Sequence, residues 1–148
     1  MNRVKRMQPV LRLAGLEADK AGRALAMMQQ RVQAEENKLS QLYAYQQEYR
    51  NQMQVSGQAG MTVDRLRLFD GFHQQLDRAI NHQRELIEHM QKDQERVREH
   101  WRKLDIRHKS LEKMLERLQR DADVQTARNE QRNHDEFARR RSSDSGWS

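Results

Sequence analysis

The side chains of this sequence that could carry out chemistry are its histidines and its carboxylates. The six histidines all lie from residue 73 onwards and are His73, His82, His89, His100, His108 and His134. No two of them are four residues apart, so a single helix cannot present two imidazoles to one metal ion, and His82 and His89 are two helical turns apart. The spacing therefore predicts no metal site and no metal cofactor.

The carboxylates are mixed with basic residues at helical spacing, as at Glu112, Glu116 and Arg117. This pattern is typical of a solvated helix face with ion pairs, and not of two catalytic acids in a concave site. The sequence also has no cysteine, no glycine-rich phosphate loop and no Gly-x-Ser-x-Gly motif. We therefore predict that the protein is not an enzyme and that it binds no cofactor and no small-molecule substrate.

The composition favours long helices over a compact globular core. Of the 148 residues, 34% are charged, only 35% are hydrophobic, and one is a proline. The sequence contains no run of about 18 uncharged apolar residues, the length needed to span a membrane. Arg12 and Glu17 interrupt what would be the apolar part of a secretory signal. We expect a mature cytosolic protein. Its net charge of +6 favours acidic partners.

Apolar residues recur at alternating spacings of three and four, first from Leu11 to Met53 and again from Leu66 to Ala122. A period of 3.5 residues held over many turns is typical of a coiled-coil seam. Between the two stretches lies "SGQAGMT", with two glycines that allow a turn and with Thr62 able to cap the next helix.

These patterns predict an all-α fold in which two long helices form an antiparallel coiled-coil hairpin, because so short a connection cannot return the chain for parallel pairing. The predicted bounds are about 9–55 for the first helix, 56–62 for the turn and about 63–140 for the longer second helix. The hairpin is expected to form a single domain over 1–141, with a disordered tail over 142–148. The residues predicted to line the seam include Leu25, Val32, Leu39, Ile80, Ile87, Val97, Trp101 and Leu104.

Pairing outward from the turn sets Met53 against Leu66 and Leu11 near His108. On that register, residues after about 110 have no partner within the chain, so Leu111, Leu115 and Leu118 become a candidate surface for docking or dimerisation. The first helix also carries a face of small side chains around Gly15 and Gly22, where we expect thin packing. The half of the hairpin nearer the turn should be the tighter one.

All three tyrosines lie in "LYAYQQEYR", and two of the three phenylalanines follow soon after the turn. The hairpin should bring one apolar stripe from each helix together near the turn. We call this candidate patch the docking surface, and its members are Leu42, Tyr45, Tyr49, Phe72, Leu76 and Ala79. Aromatic-rich apolar patches are typical of protein interfaces. The alternative is that these residues only seal the end of the coiled coil.

Three short motifs carry a resemblance to a known family: "YQQEYR" before the turn, "HWRK" in the middle of the second helix and "DEFARR" near its end. With the two helix lengths, they make the chain resemble the FliJ family of the bacterial flagellar type III export apparatus. The resemblance implies a coiled-coil stalk similar to the gamma subunit of rotary ATPases. It also implies that both termini insert toward the centre of the FliI ATPase hexamer.

The resemblance further implies that the stalk binds the export gate protein FlhA, handles export chaperones and sits at the inner face of the cell membrane at the flagellar base through its partners. In the family, the surface facing FlhA corresponds to the six residues of the docking surface. A seventh family position, often histidine, is Gln83 here.

Two other functions remain open from the residues alone. The first is a basic coiled coil that binds nucleic acid or anionic lipid through the termini "MNRVKR" and "FARRRS", although the interleaved acidic residues argue against a nucleic-acid reader. The second is a structural coiled coil that dimerises through its unpaired end.

Overall fold

The computed structural model describes residues 2–145, and the side chains of residues 3–144. It consists of α1, Asn2–Ala59, and α2, Val63–Ser145, and the described residues contain no β-strand and no third helix. With 83 residues, α2 is longer than α1, which has 58. The predicted all-α fold of two long helices is confirmed. No helix among the described residues has an apolar stretch long enough to cross a membrane.

The first helix begins earlier than predicted, at Asn2 and not near Pro9. The reason is that the seam spacing continues toward the N-terminus through Val4 and Met7, which are both half-buried like Leu11. Pro9 lies off this seam and is exposed. As the eighth residue of α1, it removes one backbone hydrogen bond inside the helix.

The connection between the helices is shorter than the predicted 56–62 and comprises residues 60–62. Gly57 keeps a helical conformation, and Gly60 alone among the described residues has a positive φ, at 91°. Glycine adopts this left-handed conformation at no steric cost. The Thr62 hydroxyl then accepts a hydrogen bond from the Arg65 backbone N–H at 3.3 Å and caps α2.

The second helix continues to Ser145, beyond the predicted end near 140. Residues 142–145 of the predicted tail are therefore helical, and residues 146–148 lie outside the described residues. Every described side chain after Ala122 is exposed. Hydrogen bonds between side chains one turn apart, such as Gln131 to Asp135 at 3.1 Å, support this single-helix segment without a core.

The packing divides the chain into two compact units. One is the hairpin Lys20–Trp101, and the other combines the described parts of Met1–Asp19 and Arg102–Ser148. The single domain expected over 1–141 stays a prediction. Within the hairpin unit, the seam residues that are buried are Leu25, Val32, Ile80 and Ile87, and those that are half-buried are Leu39, Val97 and Trp101. Leu104, in the other unit, is half-buried.

In the unit that contains the chain ends, the register differs from the prediction by about one helical turn. Gly15, and not Leu11, faces His108, and a Cβ added at Gly15 would lie 3.0 Å from His108 Nε2. Because α1 begins at Asn2, its first turns extend alongside Leu115 of α2. Val4, Leu11 and Leu115 line a groove of 580 Å³.

The expectation that residues after about 110 lack a partner within the chain is therefore wrong. Leu111, Leu115 and Leu118 are half-buried, and exposure becomes complete only after Ala122. The apolar surface predicted to be available for dimerisation is partly covered by the first turns of α1.

The small-residue face of α1 is packed more closely than predicted. Ala14, Ala18 and Ala21 are buried. In the hairpin unit, a Cβ added at Gly22 would lie 3.2 Å from Trp101 Nε1, so the missing side chain leaves the space that the indole occupies. The large side chains of α2 thus fill the gap left by small residues of α1, as close packing requires.

Candidate docking surface

Aromatic residues of the predicted docking surface meet at the end of the hairpin unit nearest the connection. The cap at Thr62 and the short turn place the last turns of α1 beside the first turns of α2. The ring centroid of Tyr49 lies 4.4 Å from that of Phe72 and 5.0 Å from that of Phe69, with the planes tilted by about 50° in both pairs. Tilted aromatic pairs at such distances attract each other beyond their buried area.

Three of the six residues of the docking surface are buried or half-buried, and the other three are exposed. Leu76 is buried, with 8% of its surface exposed, and Leu42 and Tyr49 are half-buried. By contrast, Tyr45 is 61% exposed and Phe72 47% exposed, and Ala79 is exposed as well. The buried and half-buried residues pack between the two helices. A partner would therefore contact mainly Tyr45, Phe72 and Ala79.

Gln83, the seventh predicted residue, is engaged within the hairpin. Its side-chain amide donates hydrogen bonds to the Glu35 carboxylate at 2.6 Å and to the Glu35 backbone carbonyl at 3.0 Å. The residue is half-buried. It joins two polar seam positions across the helices, and such pairs specify register in coiled coils.

A second polar link between the helices was not predicted. The Gln46 amide donates a hydrogen bond to Asp77 Oδ1 at 2.9 Å, and His73 Nε2 lies 3.5 Å from Asp77 Oδ2. Gln46 and His73 both interrupt the apolar seam series in the sequence, and this interruption was the signal that could have predicted a polar link here, although it did not indicate Asp77. Each of its three residues directly follows a residue of the docking surface in the sequence, Tyr45, Phe72 or Leu76.

The acid–base properties of the docking surface do not suggest proton transfer. Burial, together with the negative charge of Asp70, raises the pKa of the Tyr49 hydroxyl above its ordinary value of 10.0. Tyr49 therefore stays neutral at physiological pH. Within residues 3–144, no three histidine or carboxylate side chains are grouped so that they could hold a metal ion. What the arrangement offers is contact area.

The link between Glu35 and Gln83 should make stability depend on pH. The hydrogen bond from Gln83, and then that from Lys38, hold the pKa of the Glu35 carboxyl below its ordinary value of 4.5. A carboxylate with a lowered folded-state pKa contributes stability above its unfolded pKa, and that stability is lost as the pH falls through the folded value. We expect Glu35→Gln to lower the urea midpoint near pH 7 and to have a smaller effect in acid.

Urea unfolding followed by circular dichroism at both pH values measures this difference. The matched control is Glu17→Gln, which replaces an exposed glutamate on α1 and should leave the midpoint unchanged. If Glu35→Gln lowers the urea midpoint equally at neutral and acid pH, the ionised Glu35 carboxylate is not the source of the stability.

Comparison with known proteins agrees with this architecture. The sequence model of the FliJ family, described as "Flagellar FliJ protein", matches residues 3–146. The Flagellar FliJ protein of Escherichia coli strain K12 is 31% identical over 128 residues, a match that covers 86% of this chain and 87% of that protein. No solved structure matches the chain. The resemblance that the three motifs carried is confirmed, and the chain belongs to the FliJ family, as a component of the flagellar export apparatus.

Proposed function

We propose that the protein is a non-enzymatic adaptor of the flagellar export apparatus that binds the export gate protein FlhA through the docking surface. The observation that carries this proposal is the exposure of Phe72, whose ring is held at 4.4 Å from Tyr49 and is still half accessible to a partner. Large aromatic side chains anchored beside others are the residues on which interface energies concentrate. Tyr45, at 61% exposed, is more accessible than a residue that only seals a coiled-coil end is expected to be.

The second part of the proposal concerns the unit that contains the chain ends. We propose that it enters the ring of the export ATPase FliI as a central stalk, and that the protein also handles export chaperones. Support comes from the groove at Val4, Leu11 and Leu115, where an apolar surface on paired helices is bordered by polar and charged side chains. Association with the inner face of the membrane at the flagellar base would then follow from binding to FlhA.

The ATPase part of the proposal is tested by the rate of ATP hydrolysis. We expect the full chain to raise the hydrolysis rate of its cognate export ATPase and Leu115→Asp to abolish this stimulation, because a carboxylate in the groove must be desolvated on binding. The matched control is Ile106→Asp, since Ile106 is exposed in the same unit and lies outside the groove.

Circular dichroism of both variants shows whether the helices are retained. An unchanged hydrolysis rate with the full chain would refute the stalk role. Equal stimulation by Leu115→Asp and the unsubstituted chain would place the ATPase contact elsewhere.

A further inference from the structure

A small groove at the edge of the docking surface has a composition unlike the rest of the seam. It has a volume of 240 Å³ and is lined by Tyr45, Glu48, Tyr49, Gln52 and Phe72. Three aromatic rings and one carboxylate thus surround a single opening, which we call the aromatic niche. All five residues belong to the hairpin unit.

The rings of the aromatic niche are held in place and remain accessible. The contact between Tyr49 and Phe72 holds two of them against each other, and Tyr45, 61% exposed, forms the third wall. The face of an aromatic ring carries negative electrostatic potential and attracts a cation within about 6 Å of its centre. Several rings around one opening favour a cationic group over a neutral one.

The charges near the aromatic niche also favour a cation. Glu48 lines the opening, and Asp70 is close enough to Tyr49 to contribute to the raised pKa of its hydroxyl. Two carboxylates thus lie at or near the opening on a chain whose net charge is +6. Arg50 is the nearest basic residue along α1, but at about 100° per residue it projects away from the side that carries Glu48 and Gln52.

We infer that the aromatic niche receives an arginine side chain of a protein partner. This inference rests on the proposed docking function and names the chemistry of the partner group that enters the surface. A planar guanidinium stacks on aromatic faces and presents a fork of N–H donors. Glu48 and the side-chain carbonyl of Gln52 supply acceptors at the rim. A neutral apolar occupant would instead desolvate the Glu48 carboxylate with no compensating charge.

Nuclear magnetic resonance of the full chain with labelled aromatic rings tests the inference without any partner protein. The probes are Nα-acetyl-arginine amide and Nα-acetyl-citrulline amide, which have similar shapes and differ in charge. At equal concentration, we expect the arginine probe to shift the ring signals of Tyr45, Tyr49 and Phe72 about threefold more than the citrulline probe does.

Glu48→Gln should reduce the shifts caused by the arginine probe about threefold, since it removes the carboxylate and keeps the size of the side chain. Glu85→Gln, at an exposed position of α2 outside the aromatic niche, should leave them unchanged. Equal shifts from the two probes, or no ring shifts at all, would overturn the inference. If Glu48→Gln leaves the ring shifts caused by the arginine probe unchanged, the inference is overturned as well.

The same variant separates this inference from the proposed function. We expect Glu48→Gln to weaken binding of the cytoplasmic domain of FlhA about threefold. If the unsubstituted chain fails to bind that domain while the arginine probe still shifts the rings, the proposed function fails and the aromatic niche stands. If the chain binds FlhA and Glu48→Gln binds equally well, the inference fails and the proposed function stands.

Discussion

Replacing Gly22 with leucine will lower the free energy of unfolding by about 2 kcal/mol, because the new side chain must displace the indole of Trp101. A Cβ alone at this position would lie 3.2 Å from Trp101 Nε1, so the indole must shift to admit it and the larger leucine side chain. Glycine inside a helix costs up to about 1 kcal/mol relative to a good helix former. The steric effect exceeds this gain.

The matched control for Gly22→Leu is the same replacement at Gly57. This glycine also lies within α1, and a Cβ there would meet nothing within 4 Å. We expect Gly57→Leu to leave the free energy of unfolding unchanged or to raise it by up to about 0.5 kcal/mol, because helix propensity alone changes. Urea unfolding measured by circular dichroism gives both values. Equal effects at the two positions would show that Trp101 does not occupy the space beside Gly22.

If the docking surface binds FlhA as proposed, replacing Phe72 with alanine should weaken binding to the cytoplasmic domain of FlhA at least about tenfold and leave the helical content nearly unchanged. Truncating a central aromatic anchor of an interface commonly costs about 2 kcal/mol or more. Phe72 is 47% exposed, so its loss leaves most of the seam intact. Titration calorimetry measures the affinity, and circular dichroism measures the helicity.

Leu76 cannot serve for this test, although it belongs to the docking surface. It is buried, and Leu→Ala in a packed core costs about 2–5 kcal/mol of stability, so binding and folding would change together. The matched control is Ile106→Ala, an exposed apolar residue of α2 outside the docking surface, which should bind FlhA normally. If Phe72→Ala binds as tightly as the control, the aromatic residues serve only to close the hairpin.

The two helices and the apolar character of the seam could be predicted from the sequence because a period of 3.5 residues survives over many turns. The helix ends were harder to predict. Pro9 is a common first-turn residue, and this local preference concealed the seam positions Val4 and Met7 that precede it. Gly57 resembled part of the turn, but it remains helical, and Gly60 provides the reversal.

The members of the docking surface could be predicted from the sequence, but which of them are exposed and which are buried could not. Spacing alone places Tyr45 and Leu76 on stripes near the seam, and only the packed hairpin shows that the first is exposed and the second buried. The resemblance marked Gln83 as a departure from the family position, but its hydrogen bonds to Glu35 depend on the pairing of the two helices. Glu48 and Gln52 gave no signal, because polar residues at exposed helix positions are common.

The sequence by itself determined that the chain forms two long helices, that they carry apolar seams, and that the aromatic residues cluster near the turn. Each of these depends on spacing along one helix, which tertiary contacts do not alter. The register between the helices was decided by the tertiary structure alone, because apolar residues recur at each turn of a heptad seam and still meet apolar residues after a shift of one turn. Side chains that fit one position only, such as Trp101 beside Gly22 and Gln83 on Glu35, select among these registers.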